Sequence, residues 1–111
     1  MVEAGNNDKA ALIVVDVQNY FCTGGSLCVP DNEAIFPVIQ KLRTEEAYRA
    51  RYQHVYFTRD WHPQDHCSFQ SNNPGSTLFT PITLADTGVE QVMWPDHCVQ
   101  GSTGAEFHAQ C

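Results

Sequence analysis

Residues Ala10–Val15, Ala-Ala-Leu-Ile-Val-Val, form an unbroken apolar run that stops at a carboxylate, Asp16. A strand without alternation cannot keep one face in water. Both faces must be covered, which is the pattern of a central parallel strand in an α/β sheet. A second run, His54–Thr58, carries aromatic and β-branched residues and is followed by another carboxylate, Asp60. Between them, Gly24-Gly25-Ser26 and Pro30-Asp31 punctuate a loop. From Asn32 to about Tyr52, Ile35, Val38, Ile39 and Leu42 recur at helical spacing, with Pro37 placed to delay the helix start or kink it. Strand, helix, strand predicts a right-handed βαβ unit. Ligands in such sheets bind beyond the carboxyl ends of the strands, where Asp16 and Asp60 both stand.

The remainder is less regular. Trp61 to Pro95 is interrupted by Pro63, Pro74, Gly75, Pro81 and Gly88, and one short strand is expected around Val89–Met93. A short helix is expected to begin near Ala105. With no repeat, low-complexity segment or linker, residues 1–111 read as a single domain. Thirteen acidic against six basic residues give a net charge of −7, which argues against nucleic-acid or anionic-membrane partners. No apolar run reaches the length of a membrane span, and Met1–Ala10 is too polar for a signal peptide. Five cysteines without a CxxC spacing read as reduced thiols of a cytoplasmic protein, with Cys22 and Cys28 as the pair if a disulfide forms.

The residues able to carry chemistry cluster around the two strand ends. Asp60 and His62 set a carboxylate and an imidazole two residues apart, and His97 follows the stiff Trp94-Pro95 dipeptide. One local pair closed by a remote ligand is a common way to grip a divalent metal, and this mixed set suits Zn²⁺, Fe²⁺ or Mn²⁺ without selecting among them. The competing reading makes Asp60 a turn cap and His62 a surface residue. Asp16 reads either as a loop cap or as a general base at the mouth of a pocket. Phe21 and Trp94 are core residues, or they sandwich a flat apolar ligand; Trp61 is expected in the core. Cys98 adjoins His97, but sequence neighbours point apart, so it reads as a small buried residue rather than a nucleophile.

Three segments carry a further signal: Ala11–Leu27, Thr58–His66 with Ser68-Phe69, and Trp94–His108. In this order, and covering nearly the whole chain, they resemble the nicotinamidase family of the isochorismatase-like cysteine hydrolases. Tyr20 stands where the family often has an acidic residue. The resemblance implies a three-layer α/β/α, Rossmann-like fold with a mainly parallel sheet, here incomplete. It implies hydrolysis of nicotinamide to nicotinate and ammonia in NAD salvage, with Asp16 as the catalytic aspartate. Asp60, His62 and His97 map onto ligands of one divalent metal, zinc first, with iron or manganese as alternatives. His66 is the candidate for a further ligand, and Phe21 and Trp94 match the residues that hold the pyridine ring. The family's catalytic lysine and nucleophilic cysteine match nothing here, because Lys9, Lys41, Cys98 and Cys111 fall elsewhere, and the chain is expected to stop before both. The expected partners are nicotinamide or a similar small amide and a further copy of the chain. The competing functional reading is a non-enzymatic module that binds metal, nicotinamide or another subunit.

Overall fold

The computed structural model describes residues 10–111; residues 1–9, most of the polar segment judged unlike a signal peptide, lie outside the described residues. The two apolar runs form β1 (Ala10–Val15) and β2 (Tyr52–Thr58). They pair in parallel, in register from Ala11 opposite His54 to Val15 opposite Thr58. Between them lie two 3₁₀ turns, Asn19–Phe21 and Asn32–Ala34, and two helices, α1 (Ile35–Thr44) and α2 (Glu46–Arg49). The single helix expected over 32–52 is therefore broken, because Glu45 is extended at φ −72°, ψ 126°. Pro37 is the third residue of α1. Its missing N–H is one of the four that a helix start leaves unpaired, so it delays the start without kinking the helix.

The core forms on one face of this unit. Val14, Val17, Cys22 and Phe36 are buried together, with Leu12, Ile39, Phe57 and Cys111 packed against them. Strand residues alternate between faces, so the other face carries Ile13 and Val15, which are 58% and 64% exposed. Among the described residues α1 covers one face of β1 and the sheet holds β1 and β2 alone, so the second cover that the apolar run calls for is missing, as an incomplete sheet leaves it. The α/β class and the parallel pairing stand, as two strands of a larger pattern.

Beyond β2, three short strand pairings organise the long irregular stretch. The expected strand near Val89–Met93 is β4 (Glu90–Val92), and its antiparallel partner β3 (Pro81–Thr83) leaves no mark in the sequence. Three residues opening on a proline give no period to detect. In place of a helix from Ala105, one 3₁₀ turn spans Thr103–Ala105, capped by the Ser102 hydroxyl, which accepts from the Ala105 N–H. Phe107 then bridges back to Gln18. His108 stacks on Phe36 at 4.4 Å. Trp61 is not a core residue: it is 43% exposed, and the Arg59 guanidinium lies 4.1 Å over its ring. That cation–π contact compensates for the missing cover.

The two faces of β1 should respond differently to substitution. Val14→Ala is expected to destabilise the fold by about 2 kcal/mol, from lost burial and a residual cavity. Val15→Thr on the bare face should stay within about 0.5 kcal/mol. Urea unfolding midpoints check this, and equal shifts for the two variants would mean the faces do not differ.

Candidate metal centre

Asp60 lies two residues past the end of β2, so the parallel pairing that orders β2 also aims the start of this loop. The Asp60 carboxylate oxygen Oδ2 lies 3.5 Å from His62 Nε2 and 3.8 Å from His97 Nε2. Both separations exceed hydrogen-bond range. They are close to the edge of a tetrahedron around a zinc ion, about 3.4 Å for ligand bonds near 2.1 Å. The three donor atoms all lie within 4.8 Å of one another. His97 is 4% exposed, and its Nδ1 pairs with the Pro95 carbonyl at 2.8 Å. A carbonyl only accepts, so the bonding assigns the proton to Nδ1 and leaves the Nε2 lone pair facing Asp60. Burial, with His66 next in weight, holds the His62 pKa below the usual imidazole range despite the pull of Asp60. His62 is accordingly a neutral imidazole at neutral pH, the form that ligates metals. The donor set thus fits a divalent metal.

Backbone bonds and one aromatic ring lace the remote ligand to the local pair. The His62 N–H donates to the Cys98 carbonyl at 2.9 Å, and the Gln100 N–H donates to the His62 carbonyl at 2.8 Å. The Trp94 N–H donates to the Ser68 carbonyl, and the Gln70 N–H to the Trp94 carbonyl. Phe69, fully buried, stands edge-on to both His62 and His97 at 5.6 and 5.4 Å. Asp96 ties three further segments together: its carboxylate accepts from Gln64 and Ser71, and its carbonyl from Ser26. Gln18, fully buried, bonds both backbone groups of Asp60. Sequence reasoning gives Phe69, Asp96 and Gln18 no role in the site, although Phe69 falls in a matching segment, because no spacing rule marks a buried ring, an uncharged amide or a hub of loop hydrogen bonds. His66 stacks beside His62 at 4.3 Å, yet its nitrogens fall outside the donor group. Its Nδ1 instead pairs with the Ser68 hydroxyl at 2.7 Å and receives the Ser68 N–H.

The second strand end adjoins this centre. Asp16 takes a left-handed backbone (φ 54°), its N–H donates to the Thr58 carbonyl, and its Oδ1 accepts the Thr58 hydroxyl at 2.7 Å. Cys98 lies close enough to feel the charge of both carboxylates. Its thiol is fully buried, and burial first, then Asp60 and Asp16, push its pKa up to about 12. It is therefore protonated and inert at neutral pH. The Phe21 ring sits 5.7 Å from that of His97 and shares with Asp16 a largely apolar cavity of about 410 Å³. Trp94, three residues before His97, presents its ring to Phe79 at 6.0 Å and does not line that cavity.

Comparison with known proteins matches residues 10–111 to the isochorismatase domain model. The nicotinamidase of Acinetobacter baylyi is 45% identical over 101 residues, covering 91% of this chain and 44% of that protein. The crystal structure of the yeast nicotinamidase bound to the inhibitor nicotinaldehyde superposes with a TM-score of 0.76 at 34% identity, over 90% of this chain and 49% of that one. The pyrazinamidase of Pyrococcus horikoshii in complex with zinc superposes with a TM-score of 0.62 at 35% identity, over 87% of this chain and 43% of that one. The chain thus spans a little under half the length of the relatives it matches. With a family model covering the parallel strands, the three-residue donor cluster and the Asp16 cleft together, the chain belongs to the isochorismatase domain family.

Proposed function

We propose that residues 10–111 are the substrate-anchoring half of a nicotinamidase, which hydrolyses nicotinamide to nicotinate and ammonia in NAD salvage. The observation that carries this reading is the convergence of Asp60, His62 and His97 beside Phe21, with Asp16 in the adjoining cavity. Asp60, His62 and His97 would hold one divalent metal, zinc before iron or manganese. When bound, that metal supplies a Lewis acid able to take the pyridine nitrogen. Phe21 bounds the aromatic ring, and Trp94 is assigned to its other side by the family resemblance. Holding the ring in this way turns the amide toward Asp16, a gain in orientation rather than in reactivity. The Thr58 hydroxyl occupies Oδ1 of Asp16, leaving Oδ2 to accept a proton.

No thiol among the described residues fills the nucleophile's place. Cys98 is buried and protonated, and burial also raises the Cys22 pKa. The bond-breaking cysteine and its lysine belong, by the resemblance, to a later segment. The cysteines are all free, which fits a reducing, cytoplasmic setting, and a second copy of the chain remains among the proposed partners. The bare Ile13 and Val15 face also favours a second reading, a metal- and amide-binding module that needs another polypeptide before it turns over substrate.

Zinc binding tests the ligand assignment. Asp60→Ala and His97→Ala should each weaken it by more than about 100-fold in a chelator competition, and unchanged stoichiometry and affinity in both would sink it. In the zinc-loaded chain, nicotinamide should bind calorimetrically, and Phe21→Ala should weaken that binding at least tenfold. Absence of binding to the wild-type chain removes the substrate assignment.

The 111-residue chain alone should release no ammonia from nicotinamide, because no thiolate is positioned for attack. Turnover that disappears in Cys98→Ala would make Cys98 the nucleophile after all. Alkylation gives an independent check on the thiols. Exposed Cys28 and Cys67 should react with iodoacetamide in the native state, whereas Cys22 and Cys98 should react only after denaturant is added.

A further inference from the structure

Gln18 stands three residues past the end of β1 and is fully buried, a position at which a polar side chain is costly unless every group on it is paired. Its chain position follows from the turn at Asp16, whose carbonyl accepts the Gln18 N–H at 2.9 Å. Gln18 also bridges Phe107 through the backbone, which pins it between the strand end and the last segment of the chain. From there its amide makes three hydrogen bonds. Nε2 donates to the Asp60 carbonyl at 2.9 Å and to the Ala105 carbonyl at 2.8 Å, and Oε1 accepts the Asp60 N–H at 2.8 Å. Both amide hydrogens are used.

Two of these bonds form a reciprocal pair with the N–H and the C=O of one residue. A neighbouring strand grips a residue in the same way in a ladder. Fixing both backbone groups of Asp60 fixes the direction of its Cα–Cβ bond, and hence where the carboxylate points. The third bond reaches the turn capped by Ser102, whose N–H donates to Val99, the bridge partner of His62. One neutral amide therefore links the segment carrying Asp60 and His62 to the segment that follows His97. No backbone ladder reaches Asp60 itself, because β2 ends at Thr58.

We infer that Gln18 is a positioning residue: it acts through Asp60, holding that carboxylate at the spacing from His62 and His97 that a divalent metal requires. This rests on the reading of Asp60, His62 and His97 as metal ligands. Loss of groups that orient ligands in this way typically lowers metal affinity about 10–100-fold. Gln18→Met keeps the volume and removes all three bonds. Gln18→Glu is isosteric and keeps the bond from the Asp60 N–H, but turns an acceptor toward the Asp60 and Ala105 carbonyls.

The test is zinc affinity by chelator competition, and the visible spectrum of the cobalt-loaded protein, in the 111-residue chain. Gln18→Met should weaken zinc at least tenfold and shift the cobalt bands, while Val14→Ala, destabilised in the core, should leave both unchanged. In an Asp60→Ala background Gln18→Met should weaken zinc no further, as a double-mutant cycle requires of a residue acting through another. If the Met variant does not fold, Gln18→Glu is expected to change affinity and spectrum in the same direction. Gln18 variants that fold and bind zinc and cobalt like the wild type would overturn the inference and leave the metal site standing. A wild-type chain that binds neither metal would overturn both.

Discussion

The parallel pairing of β1 with β2 is the constraint on which the remaining structure depends. Parallel strands end on the same side, so the register that sets Val15 opposite Thr58 also brings Asp16 and Asp60 to one rim. The last ladder contacts are functional as well as structural: Thr58 receives the Asp16 N–H on its carbonyl and donates its hydroxyl to the Asp16 carboxylate. A one-residue slip would turn every side chain of β1 to the opposite face and separate the two carboxylates. Hydrophobic burial under α1 holds that register. The cleft is a consequence of strand order.

The chain beyond β2 is held differently. From Trp61 onward there is little regular structure, and few buried apolar residues hold it: Phe69, Met93, Cys98 and Ala105. Hydrogen bonds take over the organising role. Among the described residues no buried side-chain nitrogen or oxygen lacks a partner, although Gln18, Asn32, Ser68 and His97 are all buried. An unmade bond at such a site costs about 1–3 kcal/mol, so a fully satisfied set favours one arrangement over its neighbours. Asn32 shows the pattern away from the metal centre: its amide ties Thr23, Cys28 and Val29 and closes the loop after Phe21. The isochorismatase fold here is thus a packed βαβ corner with a hydrogen-bonded loop region laid across its rim.

Legibility in the sequence divides along the same line. β1 and β2 announce themselves through apolar and β-branched runs and α1 through helical spacing, and Asp16, Asp60, His62 and His97 through charge and spacing at strand ends. The helix break at Glu45 is invisible because Glu45-Glu46 favours helix by propensity, whereas Glu45 takes an extended backbone in the fold. Trp61 is misplaced by sequence because size and hydrophobicity point inward, whereas Arg59 gives its ring a partner at the surface. The unbroken apolar run of β1 implies cover on both faces, and only one face is covered within these residues. Gln18 and Asp96 are illegible for a plainer reason: a hydrogen-bond hub is defined by what surrounds it, and a sequence carries no surroundings.

Asp16 and Cys98 both take left-handed backbone conformations, at φ 54° and 47°. They sit at the turning points of the two segments that meet at the cleft. Aspartate and asparagine tolerate such a backbone, whereas a β-branched residue there carries strain of about 1–3 kcal/mol. Replacing Asp16 with valine would therefore disturb the turn as well as remove the carboxylate, and asparagine would separate the two effects. Chemistry and chain reversal are carried by the same residue, which narrows the side chains the cleft can accept well before any substrate enters it.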